Sequence, residues 1–371
     1  MSSQVSVTRL VAALPATVPF VAPEALERTS GRPFRLRLGA NESTFGPSPS
    51  ARNAMLAAVN RVSYYADPEC HELRAAVAAY HGLGMEHVVV ASGIDELLGL
   101  VVRAYVDRDE PAVTSLGAYP TFAYHVTGFG GRLVRVPYLD DRNDLEGLAA
   151  AAHDVGARLV YLANPDNPTG SWYTADEILA FVERLPDDAL LILDEAYAEF
   201  ATQEIPLPSD ALDPRIIRMR TFSKVYGMAG ARIGYAIATP GIRATFDKIR
   251  LHFGVNLVAQ AGALASLADA DFLASVTAAV AEGRAEYAAL AAELGLTALP
   301  SATNFVTIDV GGPERARALV AALAERGVFI RMPGAPPLDR CVRVTVGTPS
   351  ERALLAEILR ETWPEVAAAS V

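Results

Sequence analysis

Lys224 and Asp194 are the residues of this chain whose types and setting most directly suggest covalent chemistry. Lys224 ends the run Thr221-Phe222-Ser223-Lys224, and Asp194, thirty residues earlier, follows the apolar stretch Leu190 to Leu193 in LLILDEAY. A lysine amine at its ordinary pKa of about 10.4 is protonated at neutral pH and cannot attack a carbonyl. Chemistry at Lys224 therefore requires burial or nearby positive charge to free the lone pair. The local sequence offers both. Leu191 to Leu193 and Ile216 to Phe222 read as strands buried beneath helices, and Arg232 follows the lysine by eight residues. A buried aldehyde cofactor carrying a phosphate would use amine, acid and arginine together. Each alone has a bland reading as a solvated loop lysine or a strand-end carboxylate. Their joint order, with Ser, Gly and Arg at these offsets, makes pyridoxal 5′-phosphate the cofactor to expect.

A phosphate dianion calls for free backbone N–H groups at a helix start and a planar cation. ASGIDELLGLVV supplies the first, because Ser92 and Gly93 follow a strand ending near Ala91 and a helical pattern begins at once, so that the amides of Gly93, Ile94 and Asp95 are expected to be free. Asp95 reads as a helix-start residue lending its N–H rather than as a charge partner. Arg232 and the hydroxyls of Thr221 and Ser223 supply the rest. The ring nitrogen of such a cofactor needs a buried carboxylate, for which Asp194 and Glu195 compete on sequence alone. In an extended strand end, successive residues face opposite ways.

The elements that must position these groups alternate. Between about Pro47 and Ala270, helix-period segments are interleaved with short apolar runs at His87 to Ala91, Ala112 to Ser115, Leu133 to Val136, Leu159 to Ala163, Leu190 to Leu193, Ile216 to Thr221 and Ile233 to Ala238. This is the pattern of an α/β domain with a mostly parallel sheet between helical layers. Ligands in such sheets lie beyond the carboxyl ends of the strands, where Ser92, Asn164, Asp194 and Lys224 fall. The last hundred residues read as a long helix near Asp271 to Leu294, then strand, helix, strand, strand and a final helix, which makes a smaller α+β unit.

Composition excludes several classes of function. The chain has 371 residues, a net charge of −11 and no basic patch, so nucleic acid is not an expected partner. Cys70 and Cys341 are the only cysteines and lack metal-ligand or paired spacing, so no metal site or disulfide framework is expected and a reducing cytoplasm is the expected location. Leu10 to Val21 imitates a signal peptide, but Pro15 and Pro19 interrupt it. No run reaches the approximately 20 apolar residues of a membrane span. GFGG at 128–131 does not stand between a strand and a helix as a dinucleotide fingerprint would.

Taken in order, LGANESTFGPSP, SYYADPECHELRAAVAAYHG, ASGIDELLGLVVRAY, GAYPTFAYH, NPDNPTG, LDEAYAEF, TFSKVYGMAGARIGY, SATNFVTID, VFIRMPG and VRVTVGT resemble, over nearly the whole chain, the fold-type I pyridoxal phosphate-dependent aminotransferases, and within them the histidinol-phosphate aminotransferase family. NPDNPTG and TFSK with its downstream arginine are the specific signals. The resemblance implies a large cofactor-binding domain at 40–270 and a small domain made of 271–371 with a lid segment at 1–39. It assigns the ring nitrogen to Asp194, the ring hydroxyl to Asn167 and Tyr197, and ring stacking to Tyr119. Tyr65 would reach the phosphate in the neighbour's site, making the protein a homodimer with shared active sites. For the small-molecule amino donor and 2-oxo acid acceptor it implies Arg343 and Arg331 as anion forks, with Asn41 and Phe20 at the substrate site. Two forks suit a phosphomonoester or a dicarboxylate. Lys224 would be the covalent partner and then the proton carrier between two half-reactions that pass through the amine form of the cofactor. The chain departs from the family where Asn41-Glu42-Ser43-Thr44 stands for Asn-Glu-Asn-Pro, where Tyr64-Tyr65-Ala66-Asp67 stands for Arg-Tyr-Pro-Asp, and where Phe20 replaces an expected tyrosine. Histidinol phosphate with 2-oxoglutarate is the leading pair. An aromatic or broad-specificity aminotransferase, a decarboxylase or lyase, and a non-catalytic regulatory protein stay open as alternatives.

Overall fold

The computed structural model describes residues 5–16, 21–208 and 211–369. Its strands are β1 (Leu36–Arg37), β2 (Val88–Ala91), β3 (Pro111–Ser115), β4 (Arg132–Val136), β5 (Leu159–Ala163), β6 (Leu190–Asp194), β7 (Ile216–Thr221), β8 (Gly234–Ile237), β9 (Thr297–Ala298), β10 (Phe305–Asp309), β11 (Val328–Phe329) and β12 (Cys341–Thr345). Seven form one sheet in the order β2-β8-β7-β6-β5-β3-β4. Strands β3 to β7 pair in parallel, and β8 runs antiparallel to both neighbours, β2 and β7. The sheet is the mostly parallel one expected above, and each apolar run in the sequence is one of its strands.

The pleat sorts side chains into two cores by parity, because successive strand residues face opposite sides. Leu159, Tyr161 and Ala163 of β5, Ile192 of β6 and Ile217 and Met219 of β7 pack on one face with the helix Ile94–Tyr105. Val160 and Leu162, Leu191 and Leu193, and Ile216 pack on the other. Asp194 thus shares the parity of Ile192, and Glu195 that of Leu193. On β7 the same rule places Arg218 and Arg220 with Ile216, on the side of Glu195. Arg218 is 1% exposed. Two cations buried in a central strand are stable only with partners, and Glu195 accepts from both, at 3.0 Å from Arg218 Nε and 2.9 Å from Arg220 Nε. Glu199 takes Arg220 Nη1 at 3.2 Å.

The last hundred residues supply a separate antiparallel sheet, β12-β10-β9, with one short strand more than the sequence pattern suggested. The N-terminal segment joins this part of the chain through β1, which pairs in parallel with β11. No single helix among the described residues is long and apolar enough to cross a membrane.

The loop after Lys224 depends on Gly227, whose φ is +67° and whose hypothetical Cβ would stand 2.0 Å from the carbonyl oxygen of Gly46. A left-handed backbone costs an L-residue about 1–2 kcal/mol before any clash. Gly227→Ala is expected to lower the unfolding temperature by several degrees in differential scanning calorimetry. Gly241→Ala, in the helix Pro240–Asp247 with open space around it, is expected to leave it unchanged or slightly raised.

Candidate active site

Past the carboxyl ends of β5, β6 and β7 lies an open cleft whose wall includes Asp194, Lys224, Tyr197, Asn167, Tyr119 and Arg232. Asp194 is buried at its base, accepting from Tyr161 Oη at 2.7 Å and from the N–H of Ala196 at 3.0 Å. Burial outweighs these hydrogen bonds and raises its pKa to about 6. Glu195 is committed to the far side of the sheet, where burial would raise its pKa but Arg218 and Arg220 hold it at about 2. Strand parity therefore places Asp194 in the cleft and Glu195 behind the sheet. Tyr161 was not foreseen as part of the site, although its odd parity with Ala163, in a strand that is otherwise aliphatic, was a readable signal.

Lys224 is partly buried in the cleft wall, and Nζ donates to the carbonyl oxygen of Asn41 at 3.1 Å. Its pKa falls to about 8, through burial first and then the charge of Arg343, against the opposing pull of Glu42 and Asp194. The sequence suggested Arg232 as the helpful cation; the structure gives that role to Arg343, because β12 brings it to the cleft from over a hundred residues away. Tyr197 is buried with its ring centroid 5.6 Å from Nζ, and burial raises its pKa to about 12. Asn41 ties these parts together. In a left-handed backbone conformation (φ 56°), it donates from Nδ2 to Tyr197 Oη at 2.9 Å and from its N–H to Thr345 Oγ1 at 3.0 Å, while its carbonyl also accepts from Asn304 Nδ2. It is 2% exposed and braces Tyr197 and Lys224.

The two asparagines of NPDNPTG separate by role. Asn164 builds the loop, exchanging side-chain hydrogen bonds with the backbone of Tyr173 at 2.9 and 2.8 Å, and the buried Asp166 accepts from Thr169, Asn143 and Tyr138. Asn167 faces the cleft, and its Oδ1 accepts from Arg343 Nη1, leaving its amide N–H groups as donors.

At the opposite end, Thr221, Ser223, Ile94, Asp95 and Arg232 gather. Arg232 donates to Ala229 O at 3.0 Å and to Ser223 Oγ at 3.4 Å, and it pairs with Asp95 Oδ2 at 3.2 Å. Asp95 is thus a charge partner after all, and it also accepts from Tyr119 Oη at 3.0 Å. Helix geometry leaves the amides of Ile94 and Asp95 without intrahelical acceptors, but Gly93 N–H is engaged by Ala91 O at 2.8 Å. Gly93 serves instead by its missing side chain, since a Cβ there would meet Arg232 Nη2 at 2.8 Å. Ser92 is turned away, donating from Oγ to Gly254 O at 2.6 Å and from its N–H to Glu96.

Arg343 and Arg331 exchange backbone hydrogen bonds as directly opposed residues, so their side chains leave the same face, and Arg343 reaches Asn167 of the cleft wall. Arg343 donates to Gly39 O at 3.1 Å and Arg331 to Val21 O at 2.8 Å, and the Nε of each is buried with no acceptor among the described residues. Burial lowers both pKa values, that of Arg343 to about 10. Tyr65 is 84% exposed and stacks near Phe253, outside this chain's own cleft. Phe20 lies outside the described residues. The remaining donor set suits a flat ring bearing a phosphate and a basic nitrogen: hydroxyls, amides and an arginine at one end, a carboxylate at the base, an amine between, and an aromatic wall at Tyr119.

A family model described as aminotransferase class I and II matches residues 35–359. The chain belongs to the class I and II aminotransferases. Among members of known identity, the histidinol-phosphate aminotransferase of Roseiflexus castenholzii is 39% identical over 363 residues, covering 95% of this chain and 96% of that protein. The crystal structure of histidinol-phosphate aminotransferase from Sinorhizobium meliloti in complex with pyridoxal-5′-phosphate shares 50% identity, covers all of both chains and superposes with a TM-score of 0.94. Aspartate aminotransferase from Thermus thermophilus with maleate, at 21% identity over 97% of this chain and 100% of its own, has a TM-score of 0.80 and shares the aminotransferase fold.

Two outcomes follow from the geometry. Glu195→Ala strands Arg218 and Arg220 in the core and is expected to destabilise the protein by about 3–5 kcal/mol in urea titration. With an amine pKa near 8, capture of pyridoxal 5′-phosphate by the cofactor-free aminotransferase is expected to accelerate between pH 7 and 8 and level off above it. A rate that climbs steadily to pH 10 would show an ordinary lysine.

Proposed function

We propose that this chain is a pyridoxal 5′-phosphate-dependent aminotransferase that takes the amino group of histidinol phosphate and delivers it to 2-oxoglutarate, yielding the donor's oxo counterpart and glutamate. The observation that carries the reading is the partly buried amine of Lys224, with its pKa lowered to about 8, in a cleft that also holds the Asp194 carboxylate and Arg232 and whose wall residue Asn167 is bonded by Arg343. The relatives named above support the choice of donor.

Bound in this cleft, pyridoxal phosphate supplies the electron sink that makes the donor's α-proton acidic. Arg232, Ser223, Thr221 and the amides of Ile94 and Asp95 would hold its phosphate. Asp194, fixed by Tyr161 and Ala196, would hold the ring nitrogen in its charged form, and Asn167 and Tyr197 would donate to the ring hydroxyl. Lys224 Nζ, once released, is the base that accepts the α-proton and returns it on the other side of the transfer. A pKa of about 8 suits it to both directions near neutral pH. Arg343 and Arg331 would grip the donor's phosphate in one half-reaction and the carboxylates of 2-oxoglutarate in the other, since both anions match a planar fork.

The assembly we infer is a cytoplasmic homodimer. Tyr64 and Tyr65 are exposed together with Leu56, Val59, Val62 and Phe253, an apolar patch that supports burial against a second copy, with Tyr65 serving the partner's site. Residues 40–270 would be the cofactor-binding domain, and 1–39 with 271–371 the smaller one.

A panel of amino donors tests the reading. Histidinol phosphate with 2-oxoglutarate is expected to form glutamate with a kcat/KM at least tenfold above phenylalanine or tyrosine, and Lys224→Ala is expected to lose activity by a factor of 100 or more. Turnover of the aromatic amino acids alone moves the assignment to an aromatic aminotransferase, and release of carbon dioxide or ammonia moves it to a decarboxylase or lyase.

A further inference from the structure

The cleft is rich in cations, and its three acidic residues differ in how far they are already engaged. Asp194 is held by Tyr161 and Ala196 at the base. Asp95 is held by Arg232 and Tyr119 at the phosphate end. Glu42, which follows the Asn41 brace, lines the same cleft and is exposed to it. Its carboxylate has no hydrogen bond or ion pair among the described residues, and its charge acts on both Lys224 and Arg331. It therefore shares the cleft wall with Lys224, and its acceptors are uncommitted among the described residues.

This inference rests on the proposed donor. Histidinol phosphate carries three recognisable groups: an amine that must reach Lys224, a phosphate that suits Arg331 and Arg343, and an imidazole. The imidazole is an N–H donor whose pKa lies near 6.5, so that it is partly cationic at neutral pH. Neither fork can accept from it, because guanidinium has donors only. Asp194 and Asp95 are engaged with their own partners. We propose that Glu42 is the specificity-determining residue of the cleft, its carboxylate accepting from the imidazole ring of the amino donor. A charge-assisted hydrogen bond of this kind separates an imidazole from a phenyl ring of similar size, which shape alone does weakly. The same carboxylate repels the second carboxylate of a dicarboxylic substrate, so its effect on the two half-reactions has opposite sign.

Glu42→Gln preserves the shape and removes the charge, and Glu42→Ala removes both. With each holoenzyme, kcat/KM is measured for histidinol phosphate and phenylalanine as donors, and KM for 2-oxoglutarate as acceptor. Cofactor absorbance serves as the check that the site is assembled. The expected result for both variants is a histidinol phosphate to phenylalanine ratio reduced at least tenfold together with a lower KM for 2-oxoglutarate. A ratio that stays within threefold of wild type overturns the assignment, whether all substrates decline together, as for a residue that only shapes the loop, or none does. If wild type turns over phenylalanine but not histidinol phosphate, the proposed donor itself is wrong and the role of Glu42 goes with it, a result visible before any variant is made.

Discussion

The chemistry of this cleft depends on keeping one amine poorly solvated. Among the described residues of the wall, Lys224 is the amine that could bond a carbonyl and carry a proton, and burial and the Arg343 guanidinium weaken its hold on the third proton. Its hydrogen bond among the described residues goes to a neutral carbonyl, that of Asn41, rather than to a carboxylate that would fix it as an ammonium. Much of the surrounding structure maintains that condition. Asn41 holds a left-handed conformation so that its backbone can accept from Lys224 and Asn304 while its side chain steadies Tyr197. Strand β12 brings the cation whose field reaches the amine.

Pleat geometry keeps the charged groups from interfering with one another. Asp194 and Glu195 are adjacent in the chain, yet one has its pKa raised to about 6 and the other lowered to about 2. The sheet lies between their environments: tyrosine and a backbone amide on one side, two arginines on the other. Glu195, Arg218, Arg220 and Glu199 make a buried ionic cluster that backs β6 and β7 where those strands deliver Asp194 and Lys224. Its two guanidinium groups pair with its two carboxylates, although Glu199 Oε2 has no hydrogen-bond partner among the described residues, and none of these charges reaches across the sheet to bond Asp194.

Much of this was legible in the residues. The short apolar runs and the strand-end positions of Asp194 and Lys224 announced the sheet and the cleft, because strand periodicity and the placement of ligands at carboxyl ends are local and topological rules. Asn41, Asn167, Tyr119 and Arg343 followed from motif resemblance. What escaped notice depends on side-chain direction or on distance in the chain. Ser92 is in the right segment but its hydroxyl turns to Gly254; Gly93 N–H closes a tight turn; Asp95 pairs with Arg232 because helix and loop converge there. The cation nearest in effect to Lys224 lies 119 residues away in sequence, beyond any local pattern. Arg218 and Arg220, within a strand that the sequence marked as buried, had to have partners, and parity could have named Glu195 as one.

The hydrogen bond from Arg331 to the carbonyl of Val21 joins the leading segment of the chain to the mouth of the cleft. A guanidinium is rigid and planar, so an anion seated on its remaining N–H groups also fixes the orientation of the one that holds Val21. The position of the Val21 carbonyl and the binding of any anion to that guanidinium would then be linked, and such a linkage works equally in both directions.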